Sequence, residues 1–147
     1  MKTTRDPDRF DSAFSMTHHT HVPKVIQMLR EKRIYPRDLA VVEAMKPHMN
    51  TMSGRIMVRL ETIAEELGTT RTNVSGSFAR LQREFLAIRC KGRTSGGVFF
   101  LLNPYYVSIG GQAKRAQLWM KFKEALDNGG LVSEATKANW LQEEVDE

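Results

Sequence analysis

Residues 59–84, RLETIAEELGTTRTNVSGSFARLQRE, constrain this chain more than any other stretch. Leu60, Ile63, Ala64 and Leu67 recur at helical spacing, so one face of a short helix packs inward, and Ala64 is small where a second helix must cross closely. Gly68 follows at once. Glycine takes the left-handed backbone conformation without a steric penalty, which stops a helix and turns the chain sharply. Thr70 is then a good N-cap for a helix beginning at Arg71, because its hydroxyl can accept a first-turn amide. Val74, Phe78 and Leu81, spaced by four and three residues, give that second helix a core face.

The opposite side of the second helix carries Arg71, Thr72, Asn73, Ser75, Gly76, Ser77 and Arg80. Apart from its arginines this face is small, so the helix can sit deep in a major groove while Arg, Asn, Ser and Thr reach base edges or phosphates. An ordinary helical hairpin with a solvated polar face is the plainer alternative. The joint pattern of Ala64, Leu67-Gly68, Thr70, Val74 and Leu81 is more specific than amphipathicity, and it predicts a helix-turn-helix that binds double-stranded DNA. Arg71 and Arg80 are the expected duplex contacts, and Asn73 and Ser75 the better candidates for base readout.

Behind this motif, Phe85 to Cys90 reads as a strand, KGRTSGG as a flexible turn and Val98 to Leu102 as the returning strand. Such a hairpin is the wing a winged helix requires, with Arg89, Lys91 and Arg93 at or beside its tip, where long cations can touch phosphates or enter a minor groove. Ahead of the motif, Pro23 opens a helix bearing Val25, Ile26 and Leu29 that ends near Lys32. Pro36 opens a second, with Leu39, Val42, Met45 and Met49. Arg55 to Val58 is a β-prone run suited to a short first strand of the sheet.

The expected fold is therefore mainly α with a small β-hairpin wing, a winged helix-turn-helix with flanking helices. Residues 1–22 form an expected flexible arm, poor in apolar side chains, and residues 23–110 the DNA-binding domain with its N-terminal helices. Residues 111–128 form a helix whose stripe of Ala113, Ala116, Leu118, Trp119, Phe122, Ala125 and Leu126 ends at Gly129-Gly130. That stripe either packs on its own domain or pairs two subunits. Two-fold operators favour pairing, so a homodimer is expected. Residues 129–147 form an acidic tail in which Leu131, Val132, Ala135, Ala138, Trp140 and Leu141 suggest one more helix.

Charge agrees with a polyanionic partner. Twenty-two Lys and Arg against 17 Asp and Glu give +5, with a pI near 9.6. The tail holds Lys137 against Glu134, Glu143, Glu144, Asp146 and Glu147, a net −4, which leaves +9 for residues 1–128. Cys90, the single cysteine, excludes an intramolecular disulfide and reads as a small buried strand residue. No apolar run spans a bilayer, so a cytoplasmic protein associated with nucleoid or plasmid is expected, with no membrane partner. An enzyme is not expected. There is no phosphate loop, zinc spacing or nucleophile elbow, and Glu61, Glu65 and Glu66 fit the exposed side of a helix. Tyr35, Tyr105 and Tyr106 lack the metal motif a nicking nucleophile needs. No cofactor and no metal is expected, and His18, His19 and His21 read as solvated.

At residues 96–122, GGVFFLLNPYYVSIGGQAKRAQLWMKF, the chain resembles the RepL-type plasmid replication proteins in its order of features: final wing strand, Asn103-Pro104, Gly110, then a helix with Leu118 and Phe122. Ile63, Ala64, Leu67, Gly68 and Val74 match that family's helix-turn-helix, and the resemblance spans roughly Pro36 to Leu126. It implies recognition of an origin on a plasmid or phage genome and recruitment of host replication factors. The alternative architecture of the same kind is a winged-helix transcriptional regulator, similar to MarR-type or Crp-type DNA-binding domains, on a promoter operator. The arm at 1–22 and the acidic tail lie outside the family pattern.

Overall fold

The computed structural model describes residues 15–17, 21–50, 53–92, 97–109 and 111–132. Among these residues the chain is mainly helical with a small three-stranded sheet, an arrangement compatible with a winged helix. Two helices precede the motif, α1 (Val22–Arg30) and α2 (Pro36–Met45), each with proline in its first turn, where a missing N–H breaks no intrahelical bond. A single 3-10 turn, Lys46–His48, ends the second. The motif itself is α3 (Leu60–Leu67) and α4 (Arg71–Arg83).

The sheet comes next: β2 (Ala87–Gly92) and β3 (Val98–Leu102) pair antiparallel, with Arg89 opposite Phe100 and Lys91 opposite Val98. Alternation along these strands gives the sheet two covered faces. Ala87, Phe100 and Leu102 join Ile34, Val42, Met45, Ile63, Val74, Phe78 and Leu81 in the main core. Phe78 meets Phe100 edge to face at 4.8 Å between ring centroids. From the other face Ile88, Cys90, Phe99 and Leu101 pack with Phe122, Ala125 and Val132 in a second core. That second core is roofed by α5 (Gln112–Asp127).

The stripe on α5 is thus occupied within the chain. Leu118, Phe122 and Ala125 are buried against its own sheet and neighbouring turn, the intramolecular one of the two arrangements expected for this stripe. Gly54 shows how close the packing is: a Cβ there would lie 2.9 Å from Leu118 Cδ2.

Four expectations are corrected. Ser15–Thr17, inside the expected flexible arm, form a strand β1 that pairs antiparallel with β4 (Val107–Ile109). The run at Arg55 to Val58 contributes one bridging residue, Ile56, which exchanges both backbone bonds with Phe100 at 2.9 Å. The strand expected from Phe85 begins at Ala87, because Phe85 (φ 61) takes the left-handed conformation that ends α4, with the Leu86 amide donating back to the Leu81 carbonyl at 2.9 Å. Finally, Leu131–Val132 form β5, parallel to β2, instead of opening a helix. The rest of the acidic tail lies outside the described residues.

Asn103, singled out by the family pattern, has a structural task. Its side chain donates to the Phe85 carbonyl and accepts the Tyr105 amide, both at 2.9 Å, pinning the exit of β3 to the corner between α4 and β2. Among the described residues no helix is long and apolar enough to cross a membrane.

Candidate nucleic-acid interface

The turn between α3 and α4 has the chemistry its sequence predicts. Gly68 adopts φ 68, and the Thr69 amide returns to the Ala64 carbonyl at 2.9 Å, so the last turn of α3 is satisfied as the chain reverses. Thr70 is extended and its hydroxyl accepts the Asn73 amide at 3.2 Å. Such a cap contributes about 1 kcal/mol and fixes where α4 begins.

Val74, Ser77, Phe78 and Leu81 face the core, which leaves Thr72, Ser75, Gly76 and Ala79 on the outer side. None of the four has a side chain larger than threonine, so an opposing surface can approach the helix axis closely. Arg71 is exposed at the first turn, its Nε 3.4 Å from Glu61 Oε2. Asn73 lies to one flank and donates from Nδ2 to Thr69 Oγ1 at 2.8 Å.

The hairpin brings its cations to the same place. Arg89 and Lys91 are exposed and alternate with buried Cys90, so they project from the sheet face that meets α4. Gln82 ties the two elements together by accepting the Arg89 amide at 3.1 Å. Arg71, Ser75, Ala79 and Arg89 line one cavity of about 250 Å³. Arg59, Glu61, Arg71 and Arg89 line another of about 240 Å³. The result is a cleft between helix and hairpin with three arginines on its walls.

Two expected contacts are not on this surface. Ser77 is 2% exposed and sits in the core-facing row of α4. Arg80 turns toward α2, where its Nε and Nη2 donate to the two oxygens of Asp38 at 2.9 and 2.8 Å. Asp38 is fully buried and also accepts the Tyr35 amide at 2.8 Å. Burial alone would raise the Asp38 carboxyl, but the bonds from Arg80, Ser77 and the Tyr35 amide outweigh it and hold the group below its ordinary value. The Asp38 hydrogen bond likewise raises the Arg80 guanidinium against its partial desolvation. Leu67, expected inward, is 37% exposed, because it lies at the open end of α3 beside a cavity shared with Arg37 and Val41. Arg93 lies outside the described residues.

Neither a family model nor a curated protein matches the chain. Among solved structures, the X-ray crystal structure of the YusO protein from Bacillus subtilis matches with 18% identity and a TM-score of 0.35, covering 84% of this chain and 83% of that one. A likeness so loose carries no argument.

Arg59 and Ala79 belong to the cleft and its outer helix face, yet sequence reading passed over both. Ala79 was legible from helical spacing, three and four residues after Gly76 and Ser75. Arg59 was not, because only the packing of the hairpin beside α3 brings it into the cleft. Cys90 is buried as expected, and that burial pushes its thiol up to about 12. Tyr106 is buried too, its hydroxyl raised by desolvation and by Glu43.

Proposed function

We propose that this chain is a sequence-specific double-stranded DNA-binding protein of the winged helix-turn-helix kind. One observation carries the reading: the small outer face of α4 stands beside a hairpin whose Arg89 shares a cleft with Arg71. A helix with small outward residues enters a major groove without steric conflict, and flanking guanidinium groups meet the phosphates on either side of it. Thr72, Ser75 and Gly76 would then face base edges, Arg71 and Arg89 the backbone, with Arg59 joining them from the start of α3. Asn73 can reach a base once it exchanges its bond to Thr69 for one to the duplex.

Within this class we infer an origin-binding role in plasmid or phage replication, which rests on the RepL-type resemblance at Asn103, Pro104, Gly110, Leu118 and Phe122. Host replication factors and a second copy of the chain are the partners this role implies. Selection of bound fragments from a whole genome tests both levels. Enrichment of repeats at a replication origin supports the initiator, enrichment of promoters assigns a transcriptional regulator instead, and no salt-sensitive duplex binding at any sequence rejects DNA binding altogether.

A further inference from the structure

Phe85 occupies a position that suits glycine on two counts. Its φ of 61 lies in the left-handed region, where a Cβ crowds the backbone at a cost glycine avoids. Its side chain is 60% exposed, so burial offsets little of that cost. Lys32, the other non-glycine residue at positive φ among the described residues, turns a solvated cation outward and exposes no large apolar side chain. An aromatic ring kept in water on a strained backbone points to a contact outside the chain.

A second exposed ring is tied to the same corner. The buried Asn103 side chain donates to the Phe85 carbonyl and accepts the Tyr105 amide, both at 2.9 Å, so one residue fixes the backbone of both aromatics. Tyr105 is 39% exposed. Trp119 braces it edge to face at 5.2 Å and in turn stacks at 6.0 Å on the buried Phe122. The surroundings are cationic. The Arg115 guanidinium stands 5.8 Å from the centre of the Tyr105 ring, and residues 112–119 carry Lys114 and Arg115 but no carboxylate. Beside Phe85, Arg83 is exposed, and the largely buried Glu84 is shared between Arg33 and Arg83 at 3.4 and 3.5 Å. Neither Phe85 nor Tyr105 lines the cleft at Arg71 and Arg89.

We propose that Phe85 and Tyr105 form a stacking platform for the unpaired bases of single-stranded DNA, with Arg83 and Arg115 attracting its phosphates. Stacking needs an open base face, which a single strand offers and a duplex does not. A ring braced in advance, as Tyr105 is by Trp119, loses little freedom on binding. Charge selects the occupant. A second copy of the chain, docked by the same patch, sets these arginines against one another, whereas a polyanion is drawn to them. The inference goes beyond the duplex reading and stands independently of it, because platform and cleft share no residue.

The test measures fluorescence anisotropy of the full chain with a labelled oligothymidylate of about 15 nucleotides, beside a labelled random-sequence duplex. Tyr105→Ala is expected to weaken oligothymidylate binding about tenfold while duplex affinity holds, and Tyr105→Phe, which keeps the ring, to bind as the natural chain does. Phe85→Gly is expected to weaken oligothymidylate similarly and to raise Tm by about 3 °C, because the backbone strain is relieved. Failure of the natural chain to bind oligothymidylate overturns the proposal, as does undiminished binding by Tyr105→Ala or an equal weakening of the duplex. A lower Tm for Phe85→Gly also overturns it, since the ring then packs on its own chain. Dimers in sedimentation that Phe85→Gly dissociates assign the corner to a second copy and overturn it too. If oligothymidylate binds as expected but no duplex is bound by any of these proteins, the platform stands and the duplex reading falls.

Discussion

Arg80 illustrates how one side chain can change roles without changing its helix. By spacing it belongs to the polar side of α4, yet Asp38 draws it into a two-oxygen ion pair, with the guanidinium also 5.1 Å from the centre of the Tyr35 ring. Removing either charge leaves the other stranded, so Arg80→Ala and Asp38→Ala are each expected to cost about 3–5 kcal/mol. In a double-mutant cycle by urea denaturation they should couple by about 2 kcal/mol; additive losses would refute the pairing. The Asp38 carboxyl is lowered in the folded state. Its contribution is therefore present above the unfolded value of about 4 and is lost as pH falls through the lower folded value. Asp38→Asn should accordingly flatten the acid limb of stability below about pH 4, and an unchanged acid limb counts against the shift. Gly76 makes the complementary case on the outer face. A Cβ there meets only Arg80 Nη1, at 3.9 Å. Gly76→Ala should therefore stabilise the helix by about 0.5–1 kcal/mol while weakening duplex binding. A raised Tm with undiminished affinity would take Gly76 off the contact surface.

At the scale of elements, the motif and the strands reflect patterns short enough to read along the chain. Capping by Thr70, the turn at Gly68 and the return strand at Val98 arise from residues within a few positions of each other. Phe85 was harder, because the left-handed residue ending a helix is usually glycine and here is not. The destination of α5 was harder still. An apolar stripe records that a helix has a covered face, not what covers it, and here Phe122 is buried among Ile88, Phe99 and Leu101. Phe122→Ala should cost about 3–5 kcal/mol in denaturant unfolding. A loss below about 1 kcal/mol would mean that α5 does not pack on the sheet as described.

For the molecule as a whole, the sheet is the organising layer: one face completes the core of the helix-turn-helix, the other receives α5, and the cleft forms where the first face passes α4. If the hairpin meets phosphate there, Arg89→Ala should weaken all duplexes similarly and lower the slope of log affinity against log salt by about one. An unchanged slope removes the hairpin from the interface. The sequence by itself determined the helices, the turn, the hairpin and the basic character of residues 1–128, because helical period, capping and charge are local properties carried by neighbouring residues. Only the tertiary structure decided that Arg80 and Ser77 turn inward, that Arg59 joins the cleft, that β1 docks on β4 and that β5 exits beside Lys91. Each of these depends on a partner distant in sequence, such as Asp38 for Arg80, 42 positions away, and no local pattern encodes which distant group will fill a side chain's hydrogen bonds or cover its apolar face.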